Sequence, residues 1–90
     1  MNELDILKIF YDEMRAKSVT RDAVFISIDE ATVAALSAKK GIAIPLEEAH
    51  RLTDICIANE WLERTTIDPG YNYLSLTEAG LQIVLMSEYR

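Results

Sequence analysis

The stretch from Pro45 to Gly80 places the strongest constraint on what this chain can fold into. Pro45 suits the first position of a helix, where its missing N–H would have no partner in any case. Glu47 and Glu48 follow it, and acidic side chains favour the positive end of a helix dipole. The pattern therefore predicts a helix from about Pro45 to Asn59.

The pattern changes after Trp61 to short runs of Thr, Ile, Tyr and Leu on either side of Asp68-Pro69-Gly70. In such a turn Pro fixes φ, and Gly supplies a position of positive φ. These residues predict a two-stranded hairpin from about Leu62 to Leu76. Thr77 is a natural N-cap, so a last helix is expected from there to about Tyr89.

The first half of the chain predicts two helices with a short strand between them. A first amphipathic helix from Asn2 to about Lys17 is indicated by apolar residues at helical spacing: Ile6, Leu7, Phe10, Tyr11 and Met14. Ala23 to Ile28 is a β-branched and aromatic run too brief for a helix, and predicts a strand. Asp29 can cap a second helix from Ala31 to Lys40, which Gly41 would end in a left-handed conformation. The apolar turn Ile42-Ala43-Ile44 is expected to point inward.

Composition bounds the class of protein. The chain has 90 residues, of which 50% are hydrophobic and 27% charged, which indicates one compact domain spanning residues 1–90. No apolar run approaches the roughly 20 residues of a membrane span. The N-terminus is acidic where a signal peptide needs a basic start, so a cytoplasmic location is expected. The single cysteine, Cys56, is expected to pack in the core and to have no redox role.

The predicted core collects the inward positions of all these elements. Its members are Ile6, Phe10, Met14, Val33, Leu36, Leu46, Ala49, Leu52, Cys56, Leu62, Leu74, Leu76, Leu81 and Leu85.

Two short motifs resemble those of a known superfamily. They are Glu60-Trp61-Leu62, after the helix that starts at Pro45, and Leu74-Ser75-Leu76-Thr77-Glu78-Ala79-Gly80, at the end of the hairpin. Together with the order of elements they resemble winged helix-turn-helix regulators of the MarR and PadR type, and small phage-related winged-helix proteins. In those families a Gly-aromatic-Leu step follows the recognition helix, and the wing ends in aromatic-x-Leu-Thr-x-x-Gly. Five positions match, Trp61, Leu62, Leu76, Thr77 and Gly80, while Glu60 and Leu74 depart.

The resemblance implies an α+β winged-helix fold and a regulatory role, most often that of a DNA-binding transcription regulator. In that role the exposed face of the second helix enters the major groove, and cations grip phosphate. Six residues are the candidates for such contacts: Lys39, Lys40, Arg51, Arg64, Tyr71 and Tyr73. For the tyrosines and Asn72 between them, cross-strand packing within the hairpin is the alternative use.

The sign of the charge opposes DNA binding. The net charge is −6 and the isoelectric point is near 4.6, whereas non-specific affinity for nucleic acid comes mainly from Lys and Arg. The outer face of the predicted recognition helix carries three acids, Glu47, Glu48 and Asp54, and one Arg. Any DNA binding is therefore expected to be weak, with on the order of three or four counterions released per protomer.

A protein-interaction module is the alternative function class. Ile55 and Ala58, flanked by Glu47, Glu48 and Asp54, would form a small apolar centre with a polar rim on the recognition-position helix. Such a module would not bind DNA.

The last helix predicts a homodimer because it carries two apolar stripes. Leu81, Val84, Leu85 and Tyr89 form one stripe, and Ala79, Ile83 and Met86 form the other. One core covers one stripe easily, so a second subunit is expected to cover Ile83 and Met86, alone or with Ile9 of the first helix. The alternative is that both stripes belong to a single core and that Ile9 is simply exposed.

No enzyme activity, cofactor or metal is expected. Glu47, His50 and Asp54 stand at i, i+3 and i+7 on one helix, a spacing that could offer ligands to a metal. A solvated helix face explains them without a metal, and the chain has one His and no usable Cys. A single His without a nucleophile partner makes no catalytic triad.

Overall fold

The computed structural model describes residues 1–88, which form an α+β structure of four helices and one two-stranded antiparallel sheet. The α+β class predicted from the sequence is confirmed, and the layout is compatible with a winged helix. The elements are α1 (Glu3–Lys17), a 3₁₀ turn (Arg21–Ala23), α2 (Glu30–Lys40), α3 (Leu46–Ala58), β1 (Leu62–Arg64), β2 (Leu74–Leu76) and α4 (Glu78–Glu88).

Local capping chemistry sets most helix ends. The side chain of Asp29 accepts a hydrogen bond from the Thr32 N–H at 2.9 Å, and Gly41 ends α2 at φ 71°. The Thr77 hydroxyl accepts the Gly80 N–H at 3.0 Å at the start of α4. Pro45 differs from its prediction by one position, because at ψ 142° it is the N-cap of α3 and not its first helical residue. The predicted end of α4 at Tyr89 lies outside the described residues.

The strand predicted from Ala23 to Ile28 is wrong. Only Ile26 pairs with the sheet, through reciprocal hydrogen bonds of 3.0 and 2.9 Å with Leu74 in an isolated antiparallel bridge. The pairing does not extend because Tyr73 adopts φ 52°, so that its N–H donates to the Ser27 hydroxyl at 3.0 Å. In a regular strand a backbone carbonyl would accept the Tyr73 N–H, but here the Ser27 side chain accepts it.

The hairpin has the predicted position but a different turn. Leu62 pairs with Leu76 and Arg64 with Leu74 across the sheet. Gly70 does not have the positive φ that was predicted for it, whereas Tyr73 does. The Asp68 carboxylate instead organises the turn by accepting the Gly70 N–H at 2.9 Å.

The core lies where α1 packs against α3, α4 and β2. Met14, Leu46 and Leu81 pack against its edge, while Leu85, which was predicted to be in the core, is only half-buried; Val84 is fully buried in its place. The buried apolar side chains are Ile6, Leu7, Phe10, Val24, Ile28, Val33, Leu36, Ala49, Leu52, Cys56, Leu62, Leu74, Leu76 and Val84.

The turn between α2 and α3 was predicted to point inward, and this is wrong for two of its three residues. Ile42 is 49% exposed and Ala43 is exposed, while Ile44 packs against the core. The Ile42 N–H donates to the Ser37 carbonyl and the Ile44 N–H to the Ser37 hydroxyl, which turns only Ile44 toward the interior.

Candidate interaction surface of α3 and the hairpin

The outward side of α3 is the candidate functional surface, and we call it the α3 outer face: Glu47, Glu48, His50, Arg51, Asp54 and Ala58. It is defined by the opposite side of the helix, where Ala49, Leu52, Thr53 and Cys56 are buried. The one buried hydroxyl there is satisfied, since Thr53 donates to the Ala49 carbonyl at 2.7 Å. Core packing therefore fixes which residues of α3 face outward.

The hairpin is fastened to the α3 outer face by Tyr71. Its ring stacks on that of His50 with centroids 3.7 Å apart and an interplanar angle of 11°. Its hydroxyl donates to the Asp54 carboxylate at 2.9 Å, and its carbonyl accepts the Ile28 N–H at 2.8 Å. A ring nitrogen of His50, Nε2, lies 2.7 Å from the Ile28 carbonyl oxygen. These contacts join three segments of the chain at one point.

In this structure Tyr71 packs on α3, and not across the hairpin as one of its two predicted uses required. Burial raises the pKa of Tyr71, and its hydrogen bond to Asp54 raises it further, so the hydroxyl stays protonated as a donor. The i, i+4 pair His50 and Asp54 is the sequence signal for this contact, but nothing in the pattern names the tyrosine that meets it. Tyr73 is exposed.

The two arginines predicted to bind DNA are engaged within their own elements. The Arg51 guanidinium forms two hydrogen bonds with the Glu48 carboxylate, one of them from Nε at 3.1 Å. This contact lowers the pKa of Glu48 and raises that of Arg51, so both groups remain charged. Arg64 donates from Nε to the Gly70 carbonyl at 3.2 Å, across the base of the hairpin loop.

The two lysines predicted to bind DNA are turned toward α1. Lys39 Nζ lies 2.7 Å from Asp12, and Lys40 Nζ lies 2.9 Å from Asp5. The hydrogen bond to Asp12 raises the pKa of Lys39. Both carboxylates belong to α1, so the last turn of α2 presents its cations to α1 and not to the α3 outer face. The other four predicted DNA contacts, Arg51, Arg64, Tyr71 and Tyr73, belong to α3 and the hairpin.

The acids predicted to bind a partner do lie together on the α3 outer face. Glu47 and Asp54 are exposed, and so is Ala58. Ile55 is a correction, because it is half-buried and packs against the core. The apolar centre predicted for this face is thus reduced to Ala58, and the face is dominated by carboxylates.

The residues predicted to form a dimer interface lie in two separate grooves. Ile9 lines a groove between α1 and α2. Ile83 and Met86 line a second groove between α4, the first turns of α1 and the chain just before β1. We call this second one the α4 groove, and its apolar residues are Leu4, Leu7, Trp61, Ile83, Leu85 and Met86.

Cys56 and His50 are both occupied by structural contacts. Burial raises the pKa of Cys56 to about 12, which leaves the thiol protonated and unreactive at neutral pH. Its Sγ lies 3.7 Å from the Glu3 carbonyl oxygen.

Within residues 1–88, no three His, Cys, Asp or Glu side chains converge in a way that could hold a metal ion. In the same part of the chain, no helix combines the length and apolar character needed to cross a bilayer.

Comparison with models of known protein families finds no match, and searches of curated proteins and of solved structures find no similar chain.

Proposed function

We propose that this chain is a small winged-helix regulatory protein that acts by contacting another protein through the α3 outer face. One observation carries the proposal. Each cation expected to hold DNA is already bound within the chain: Lys39 to Asp12, Lys40 to Asp5, Arg51 to Glu48, and Arg64 to the Gly70 carbonyl.

The electrostatic cost of DNA binding follows from these contacts. Three of the four cations would have to leave a carboxylate before they could neutralise phosphate. Surface ion pairs of this kind are individually weak, but each of the three cations would exchange a carboxylate for a phosphate, which reduces the net gain from each DNA contact. The carboxylates left behind would also repel the phosphate backbone.

The same charges favour a positively charged partner. Glu47 and Asp54 are exposed on the α3 outer face, and the hairpin is held beside it through Tyr71. Because the stacked Tyr71 and His50 rings keep the two elements in register, a partner meets one preformed surface. A basic protein segment fits the sign of that surface.

A weak DNA-binding regulator is the second candidate function. The order α2, α3, β1, β2 and the exposed Tyr73 ring favour it, and exposed ion pairs exchange partners at small cost.

Fluorescence anisotropy separates the two candidates. The probes are a labelled duplex DNA of mixed sequence and a labelled arginine-rich peptide, each titrated with protein at low salt and again with added salt. We expect salt-sensitive binding of the peptide and no signal with DNA at tens of micromolar protein. Binding of DNA that weakens with salt, without binding of the peptide, would overturn the protein-contact proposal in favour of the second candidate.

Charge substitutions locate the surface. Replacing Glu47 and Glu48 together by Gln should weaken peptide binding by roughly 2- to 30-fold, since two exposed charge contacts of ordinary strength are lost. The matched control replaces Glu13 and Glu63 by Gln, the same change in net charge on α1 and β1. Equal weakening by both pairs would mean that only the overall charge matters, and would contradict a site on α3.

A further inference from the structure

The groove between α1 and α2 is a feature that the proposed function does not use, and we call it the α1–α2 groove. α1 packs against α3 and α4, and α2 packs against α3. The space between α1 and α2 has a volume of about 840 Å³, within the range of about 300–1,000 Å³ that is typical of small-molecule sites. Its floor is apolar, because Leu36 is buried there and Ile9 and Ile26 are half-buried.

The rim of the α1–α2 groove is charged, and its charges are paired. Lys39 of α2 lies 2.7 Å from Asp12 of α1, and Lys40 lies 2.9 Å from Asp5. The remaining ionisable residues of the lining are paired as well: Lys8 with Glu88, and Glu13 with Lys17. Every ionisable residue that the structure describes along this groove therefore already has a partner of opposite charge.

The pair of Lys39 and Asp12 is the one that a ligand can enter. Its side chains are 69% and 50% exposed, whereas those of Lys40 and Asp5 are 32% and 19% exposed. A ligand that parts Lys39 from Asp12 must give each of them a new partner, so it needs both an anion and a cation. Since Nζ and the carboxylate oxygen are only 2.7 Å apart, the ligand must carry its two charges close together. An α-amino acid does so, because its ammonium and carboxylate groups are bonded to the same carbon atom.

We propose that the α1–α2 groove binds a free α-amino acid with an apolar side chain. The carboxylate of the ligand accepts a hydrogen bond from the Lys39 ammonium, and its ammonium donates one to the Asp12 carboxylate. Its side chain lies on the apolar floor, against Ile9 and Leu36. Both charges of the parted ion pair thus regain a partner, which neither a simple anion nor a simple cation can provide.

The lining of the groove also favours an apolar side chain over a polar one. Thr32 supplies the hydroxyl of the lining, and it already donates to the Ser27 carbonyl at 2.8 Å. A polar ligand side chain on this floor would therefore lose its hydrogen bonds to water without full replacement. A ligand of the size of leucine has about nine non-hydrogen atoms, so we expect a Kd on the order of 0.1–1 mM.

Amide chemical shifts of the whole chain, followed by NMR during titration with L-leucine, test the proposal. We expect saturable shifts in α1 and α2. N-acetylleucinamide, which lacks both charges, should bind roughly 2- to 30-fold more weakly, because two exposed charge contacts are lost. Glycine, which has both charges and no side chain, should bind at least about 10-fold more weakly, because it buries no apolar surface. Equal binding of either analogue would overturn the proposal, and so would the absence of saturable shifts with L-leucine up to about 20 mM, well above the expected Kd.

Ala35→Trp is the variant that locates the site. Ala35 is exposed on α2 and lines the groove, so an indole there occupies the place of the ligand and leaves the core intact. We expect L-leucine to bind at least about 10-fold more weakly, because the indole denies it the apolar contacts, with an unchanged circular dichroism spectrum. The matched control is Ala34→Trp, at an exposed neighbour that does not line the groove. Equal weakening by both variants, or unaffected binding in Ala35→Trp, would place the site elsewhere.

Replacing Asp12 by Asn and Lys39 by Gln together tests the charges and keeps the net charge of the chain. L-leucine should then bind roughly 2- to 30-fold more weakly, while the affinity for N-acetylleucinamide should not change. A preference for L-leucine that persists in this variant would contradict the assigned roles of Lys39 and Asp12. The substitutions in α1 and α2 leave the α3 outer face unaltered, so a negative result here would not affect the protein-contact proposal.

Discussion

Replacing Gly80 by Ala is expected to destabilise this fold, although the same change stabilises most helices. Gly80 is buried in the first turn of α4, against the chain that leads into β1. A Cβ added to it would lie 2.1 Å from the Trp61 carbonyl oxygen and 2.9 Å from the carbonyl carbon. It would also lie 2.8 Å from Leu76 Cδ1, but that methyl group can rotate away. The backbone carbonyl cannot.

The magnitude follows from three contributions. The Cβ···O separation must widen from 2.1 Å to about 3.4 Å for ordinary contact, and overpacking of this kind costs about 1–3 kcal/mol. The same carbonyl accepts the Thr77 N–H at 3.0 Å, and losing that bond costs about 1 kcal/mol. Ala gains about 1 kcal/mol over Gly in helix propensity. The net loss is about 2 kcal/mol, which for a domain of this size lowers Tm by roughly 8–16 °C.

Thermal and urea unfolding of Gly80→Ala measure this loss. Gly41→Ala is the matched control, because a Cβ there meets nothing within 4 Å and the cost comes only from φ 71°, about 1–2 kcal/mol. A Gly80→Ala protein as stable as the unmodified chain would refute the close approach of α4 to Trp61.

Two further predictions concern α3 and α1. Tyr71→Phe should lower the free energy of unfolding by about 0.5–1.5 kcal/mol, because it loses the hydrogen bond to Asp54. Tyr71→Leu should lower it by about 0.5–1.5 kcal/mol more, because it also loses the stack on His50. Amide hydrogen exchange at residues 65–73 should be faster in Tyr71→Phe and faster still in Tyr71→Leu, and equal rates in the two variants would exclude the stack. Burial alone would raise the pKa of Asp5, but hydrogen bonds from Lys40 and from the Asn2 N–H outweigh it and lower that pKa. The Asp5 carboxylate therefore contributes its full stabilisation above the unfolded pKa of about 3.9, and this contribution is lost as pH falls through the lower pKa of the folded state. When Tm is measured from pH 6 down to pH 2, it should fall less steeply in Asp5→Asn than in the unmodified chain. Parallel curves would contradict the lowered pKa of Asp5.

Features that depend on a few neighbouring residues could be predicted from the sequence. The caps at Asp29 and Thr77 and the left-handed end of α2 at Gly41 each require a side chain or conformation within four positions. The position of the hairpin could be predicted from the same kind of local signal. The conformation of its turn could not, because positive φ was expected at Gly70 and occurs at Tyr73, while the Asp68 carboxylate accepts the Gly70 N–H.

Features that depend on tertiary contacts could not be predicted from the sequence. The run from Ala23 to Ile28 has the composition of a strand, but only Ile26 finds a partner, since Tyr73 turns the next donor toward the Ser27 hydroxyl. The stack of Tyr71 on His50 joins positions that no periodicity relates. Val84 and Leu85 belong to one predicted stripe, but the structure buries only Val84 fully, which the spacing of the residues does not show.

The pairing of charged side chains is the main support for the proposed function, and it depends on the tertiary fold and not on the sequence alone. Net charge is a sum over the sequence, but Lys39 meets Asp12 from 27 positions away. Such pairing engages Lys39 and Lys40 of α2 with carboxylates of α1. The carboxylates of the α3 outer face are then the dominant charges on that face. This distribution of ion pairs supports the proposed function, because it leaves a negative surface suited to a basic partner.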